Sequence, residues 1–281
     1  MTKTLNFCAL FRRVGEINYS GGNVKFTGHS SKGYNFMTVE LQQALAQHRA
    51  LKVISGLQNF DPERVAAVVK AATLGGATFV DIAADPELVK MVKGLTNLPI
   101  CVSAVEPAKF VQAVEAGADL IEIGNFDSFY AQGRRFEAPE VLELTRQTRA
   151  VLPQILLSVT VPHILELDQQ VALAEELVAA GADIIQTEGG TSSQPRHPGV
   201  LGLIEKAAPT LAAAASISKA VSVPVLCASG LSDVTVPMAI AAGASGVGVG
   251  SAINQLNDPV AMVAAVRRLV DALGTVQLVV Y

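Results

Sequence analysis

Two short phrases alternate along most of this chain, and their spacing decides what it can fold into. One is a small residue and Gly-Ala before an apolar run: GGATFVDIAAD, AGADLIEIGNF, AGADIIQTEGG and AGASGVGVGSAI. The other is Leu-Pro or Val-Pro before an apolar run: NLPICVSAVEP, VLPQILLSVTVPH and SVPVLCASGLS. With ALKVISGL they give eight strand candidates, near residues 51–56, 77–83, 99–105, 118–124, 154–161, 182–188, 223–229 and 245–250. Helical patterns over 61–74, 85–95, 106–116, 138–151, 165–180, 200–220, 232–242 and 258–273 separate them. Asp61-Pro62, Asp85-Pro86 and Asp258-Pro259 are helix starts, and Gly75, Gly117, Gly181 and Gly243 stand at helix ends. Strictly alternating strands and helices pair in parallel with right-handed crossovers. Eight units close into a (β/α)8 TIM barrel, expected as a single domain over residues 37–281. The rival, an open doubly wound sheet, lacks a GxGxxG fingerprint after the first strand.

Length and charge narrow the function classes. The chain has 281 residues, half of them apolar, and barrels of this kind run to about 250 residues. No uninterrupted apolar run reaches the ~20 residues that cross a bilayer. Cys8, Cys101 and Cys227 form no CxxC pair, which fits a reducing compartment better than a disulfide framework. Residues 1–36 hold five Lys or Arg against Glu16, a charge of +4. The whole chain carries −4, so the remainder carries −8. An acidic body speaks against a nucleic-acid surface. The first 36 residues show no strand or helix periodicity. They are open to three interpretations: an over-extended start before Met37, a targeting segment, or a disordered docking arm. A clean amphipathic run begins at Met37.

Parallel strands covered on both faces should be continuously apolar, yet these are not. Lys52, Asp81, Glu122, Ser158, Thr160, Gln186 and Glu188 interrupt them. Outward positions pack on helices, so these side chains are expected to point into the barrel. One lysine among three carboxylates stays an ammonium, while crowding raises the pKa of a carboxylate. That combination yields an acid and a base near neutral pH, and Lys52, Asp81, Glu122 and Glu188 are the catalytic candidates. A purely structural ion network is the alternative. Further candidates near strand ends are Ser103, Asn125, Thr160, His163 and Gln186. Asp127 and Thr187 lie there too. His163 reads equally as a base or as a hydrogen-bonded loop residue. Asp85, Glu106 and Asp258 read as helix caps. No His, Cys, Asp or Glu spacing resembles a dedicated metal site.

The last strand, GASGVGVGSAIN, leaves the wall bare at Gly246, Gly248 and Gly250. Main chain can then approach a ligand. Gly250 and Ser251 open a short helix whose N–H groups face the mouth. Ser229 and Gly230 after strand seven offer a similar turn. Loops after strands seven and eight recur as phosphate sites in such barrels, so Ser229, Gly230, Gly248, Gly250 and Ser251 are the candidate phosphate seat. The loop GGTSSQPRHP, with His197 near its tip, is either a lid or a solvated surface loop.

Residues 50–253 resemble a family of cyanobacterial and algal-plastid proteins called hypothetical chloroplast reading frame twenty-three. The resemblance rests on GGATFVDIAADPELVK, GADLIEIGNFDSFY, LSVTVPHIL, GADIIQTEGG and GLIEKAAPTLAAA. It implies a barrel in a cyanobacterial cytoplasm or a plastid stroma, and supplies no reaction. The VGSAI turn is also similar to that of ribulose-phosphate-binding barrels, including N-acylmannosamine-phosphate epimerases, which implies a phosphate role for Gly248, Gly250 and Ser251. GADIIQTEGG with His197 resembles flavin-dependent nitronate-oxidising barrels, which implies flavin mononucleotide.

Three functions compete. The first is an isomerase, epimerase or lyase acting on a phosphorylated small molecule. The second is a flavin mononucleotide oxidoreductase. The third is a non-catalytic metabolite-binding or regulatory protein. The expected partner is a small molecule, without nucleic acid or membrane; a homo-oligomer is left open.

Overall fold

A computed structural model of the chain describes residues 38–275. The expectations for residues 1–36 lie outside them. Eight parallel strands form a closed barrel in sequence order: β1 Ala50–Ile54, β2 Phe79–Ala83, β3 Ile100–Ala104, β4 Leu120–Ile123, β5 Leu156–Thr160, β6 Ile184–Gln186, β7 Val225–Ala228 and β8 Gly246–Val249. β8 pairs back onto β1, with Lys52 opposite Gly248. The helices are α1 Val39–Ala46, α2 Pro62–Gly75, α3 Pro86–Lys93, α4 Pro107–Glu115, α5 Asp127–Tyr130, α6 Ala138–Val151, α7 Leu167–Ala179, α8 Gly199–Ala220, α9 Val236–Ala241, α10 Ser251–Asn254 and α11 Pro259–Gly274. Every expected strand and helix is present. The single turn of α5 was not anticipated.

The Gly-Ala phrase now has a mechanical meaning. Gly76, Gly117, Gly181 and Gly243 adopt φ of 87°, 111°, 106° and 101°, the left-handed stop that glycine provides. The following Ala77, Ala118, Ala182 and Ala244 donate back to the carbonyls of Ala72, Ala113, Leu177 and Ala239, completing the helix terminus. The third residue hooks the chain to the preceding strand. Thr78, Asp119 and Asp183 accept from the N–H groups of Leu51, Ile100 and Leu157. Gly76, rather than Gly75, is the left-handed residue. Gly75 is needed for another reason: a Cβ there would lie 2.4 Å from Val266 of α11, where the first and last helices of the barrel meet.

Helix starts follow the Asp-Pro signals. Asp61 and Asp85 each accept two N–H groups of the first turn, and Asp258 accepts from Ala261. Among the described residues Glu106 makes no capping bond to α4, and it pairs with Lys109 at 2.7 Å. α8 is long and apolar enough, by length and composition, to cross a membrane. In this fold it is one of the helices around the barrel, burying Gly202, Ala207, Ala213, Ala214 and Ile217.

The barrel interior has two halves. Its N-terminal half is apolar: Ala50, Phe79, Cys101, Leu120, Ile184 and Leu226 pack together with Leu41 and Leu45 of α1, which closes that end. The C-terminal half is polar.

Candidate functional site

Lys52, Asp81, Ser103, Glu122, Ser158, Thr160 and Gln186 all point inward, and none is more than 1% exposed. Glu122 is their hub. Its Oε2 lies 2.6 Å from Lys52 Nζ and accepts from Ser158 Oγ at 2.7 Å. Its Oε1 accepts from Gln186 Nε2 at 2.7 Å and Asn125 Nδ2 at 3.2 Å. Ser103 Oγ donates to Asp81 Oδ1 at 2.5 Å. Thr160 Oγ1 accepts from Gln186 Nε2 at 3.1 Å. Asn125 closes the layer from above. It is a non-glycine residue with φ of 62°, a conformation Asn tolerates. Its Nδ2 reaches Asp81, Ser103 and Glu122 within 3.5 Å. Among the described residues, Gln186 Oε1 has no hydrogen-bond partner.

The titration of this layer follows from burial and charge. Burial pulls the Lys52 ammonium toward neutrality, but the Glu122 and Asp81 carboxylates outweigh it, and the pKa ends raised. Asp81 is pushed up to about 7, chiefly by burial, with Glu122 adding to the rise and Lys52 opposing it. Burial also drives the Cys101 thiol well up, leaving it protonated and unreactive. One ammonium and one proton titrating near neutrality is the arrangement expected from the sequence, although burial outranks carboxylate crowding as its cause.

Glu188 is not part of this layer. β6 ends at Gln186, and Glu188 turns into a second cluster formed by four loops. Its Oε1 accepts from Tyr130 Oη at 2.8 Å and from the His163 N–H at 3.2 Å, with His163 Nδ1 also 3.2 Å away. Its Oε2 accepts from the Asp127 N–H at 3.1 Å. Asp127 Oδ2 accepts from Ser229 Oγ at 2.7 Å and the Gly189 N–H at 3.1 Å. Asp127 Oδ1 accepts from Ser192 Oγ at 2.7 Å and stands 3.4 Å from His163 Nδ1. Burial draws His163 down but its Glu188 contact more than restores it, so its pKa is raised. Burial raises Glu188.

The spacing argument therefore missed one grouping: potential ligand atoms of Asp127, His163 and Glu188 lie within 4.8 Å of one another. Both carboxylates already accept from hydroxyls and main-chain N–H groups, so the cluster is self-satisfied as a knot tying the loops after β4, β5, β6 and β7.

The glycine-rich rim needs sorting as well. Gly248 is buried in the wall, where a Cβ would meet Ala228 at 2.8 Å and Ile54 at 3.0 Å. Its missing side chain accommodates protein, as does that of Gly230, but Gly248 is also buried within β8 rather than at the rim, and so drops out of the seat. Ser229 (φ 75°) and Gly230 (φ 74°) form a left-handed turn. The Ser229 hydroxyl is committed to Asp127 and to the Thr191 N–H. Gly230, Gly250 and Ser251 are half-buried at the rim. His197 is held away from the barrel interior by Glu205, 2.6 Å from its Nδ1. Glu205 also accepts the N–H groups of Arg196 and His197, so the 189–198 loop is pinned to α8. Thr187 faces outward to Thr210.

Fold and site together define a (β/α)8 barrel with an apolar floor and a charged, hydrogen-bonded upper interior. Within that class, the chain belongs to the family described as "Protein of unknown function (DUF561)", whose model matches residues 37–278. It is 47% identical over 201 residues to "Uncharacterized protein ycf23" of Cyanophora paradoxa, covering 69% of this chain and 80% of that one. Among solved structures it is similar to thiamine phosphate pyrophosphorylase from Pyrococcus furiosus, with a TM-score of 0.55, 19% identity and coverage of 82% and 98%. It is also similar to (S)-3-O-geranylgeranylglyceryl phosphate synthase from Thermoplasma acidophilum, with a TM-score of 0.56, 15% identity and coverage of 86% and 100%. At these identities the two structures speak for the barrel.

Proposed function

We propose that this protein binds a phosphorylated small metabolite at the C-terminal face and acts on it as an isomerase, epimerase or carbon–carbon lyase. The observation that carries this is the fully buried Lys52–Glu122 pair with Asp81 beside it. Such groups stabilise a fold poorly, and perturbed charges inside a barrel are a mark of chemistry. In this mechanism the Lys52 ammonium stabilises the negative oxygen of an enolate. Asp81, titrating near neutrality, transfers the proton. Asn125 touches both carboxylates from above and is the cover that substrate displaces. Main-chain N–H groups at Gly230, Gly250 and Ser251 seat the phosphate. The proposed setting is a cyanobacterial cytoplasm or a plastid stroma.

The test is a phosphorus NMR titration with inorganic phosphate and a pentose 5-phosphate. Ser251→Glu places a negative charge on the half-buried rim and is expected to weaken binding at least tenfold without lowering Tm. Equal binding by this variant sinks the seat. Lys52→Met is expected to keep phosphate affinity and to stop the exchange of the sugar's α-proton into heavy water. Flavin released from the purified protein on heating would instead assign the seat to flavin mononucleotide.

A further inference from the structure

The candidate phosphate seat borders a negative cluster. Ser229, next to Gly230, donates to Asp127, and Asp127 shares His163 with Glu188. Two acidic side chains share one imidazole there, so acidic groups outnumber basic ones on that side. Main-chain N–H groups carry partial charges, and an anion seated here needs a full positive charge close by.

Lys206 of α8 packs beside this turn. Its Cγ lies 3.2 Å, and its carbonyl oxygen 2.9 Å, from where a Gly230 Cβ would stand. The aliphatic stem is therefore laid across the Gly230 turn. Gly190 packs against the same turn, its Cα 2.7 Å from that Gly230 Cβ position. No carboxylate stands within ion-pairing distance of the Lys206 ammonium among the described residues. The neighbouring Glu205 is engaged by His197 and the N–H groups of the 189–198 loop. The stem is half-buried, as lysine stems are when the head alone is meant to meet water or a ligand.

We propose that Lys206 is a phosphate-binding residue whose ammonium reaches over the Gly230 turn to the substrate's phosphate. This rests on the phosphate seat described above. It also narrows the substrate to phosphate monoesters, since a dianion gains more than a diester from one added positive charge.

Phosphorus NMR titrations of wild type, Lys206→Met, Lys206→Gln, Lys206→Arg and Lys219→Met test this with inorganic phosphate and a pentose 5-phosphate, the unphosphorylated pentose serving as control. Lys206→Met and Lys206→Gln are expected to weaken both phosphates at least tenfold. Lys206→Arg should retain most of the affinity. Lys219→Met, on the exposed last turn of the same helix, should match wild type. A wild type that binds phosphate while both neutral variants bind it equally well overturns the role of Lys206 and leaves the seat standing. Equal losses in Lys206→Met and Lys219→Met also overturn it, because they report overall charge alone. A wild type that binds no phosphate removes the seat itself.

Discussion

Glu122 shows how much one buried residue can be asked to do. It accepts from Lys52, Ser158, Gln186 and Asn125, so its removal orphans several donors together. Glu122→Gln keeps the shape but offers one acceptor oxygen and leaves the ammonium with Asp81 as its remaining acidic neighbour. Breaking a buried pair in this way costs about 3–5 kcal/mol, to be read from urea unfolding. Lys52→Met should cost less, because Glu122 would retain its three other donors. The reverse ranking would show that the ammonium, and not the carboxylate, organises the layer. The inward direction of Lys52, Asp81, Glu122, Ser158 and Gln186 was legible in the sequence, because a charged residue within a doubly covered strand has nowhere else to point. Glu188 misled by the same rule. It shares the alternation of Gln186, but β6 ends between them, and Gly189 at φ 119° carries the chain off the wall.

At the scale of elements, what could be read was whatever a local signal encodes: strand phase, Asp-Pro starts, glycine stops. What could not be read depends on where loops land. The knot of Asp127, His163, Glu188 and Ser229 draws on four separate loops, and no spacing along the chain announces it. Lys206 is hidden by the same limitation, as a lysine in a largely apolar helix looks solvated until Gly230 is found beneath its stem. Gly248 and Gly250 look alike in sequence, but one is buried within β8 and the other is half-buried at the start of α10. α1 illustrates an element whose role depends on placement. Leu41 and Leu45 are 1% and 3% exposed against the barrel floor. Leu45→Ala is expected to cost about 2–5 kcal/mol through lost contact and the cavity left behind. Phosphate affinity should stay unchanged, since the floor and the rim are opposite ends of the barrel. A coupled loss of affinity would mean that the floor sets the geometry of the rim.

Across the whole molecule, an apolar floor bears the fold while a polar upper half carries groups that titrate upward. Asp81 is raised to about 7, and Glu188 and His163 are raised as well. Unfolded, Asp81 would lose its proton near pH ~3.9. Between that value and about 7 the folded state holds the proton and the unfolded chain does not. Stability contributed by the protonated carboxyl is thus complete in acid, falls as pH rises through this window and levels off above it. His163 acts in the same sense, since its imidazolium contributes fully below the unfolded pKa and is lost as pH rises through the folded one. Glu205, lowered by its bond to His197, runs the other way at a half-buried position, so the total curve mixes both signs. Asp81→Asn isolates the interior contribution, because asparagine keeps the size of the protonated acid and cannot ionise. Its urea midpoint should match wild type near pH ~4 and exceed it progressively toward pH ~8. A difference that stays flat across that range would mean that Asp81 keeps one charge state throughout, and the proton-transfer role would then have to pass to another group.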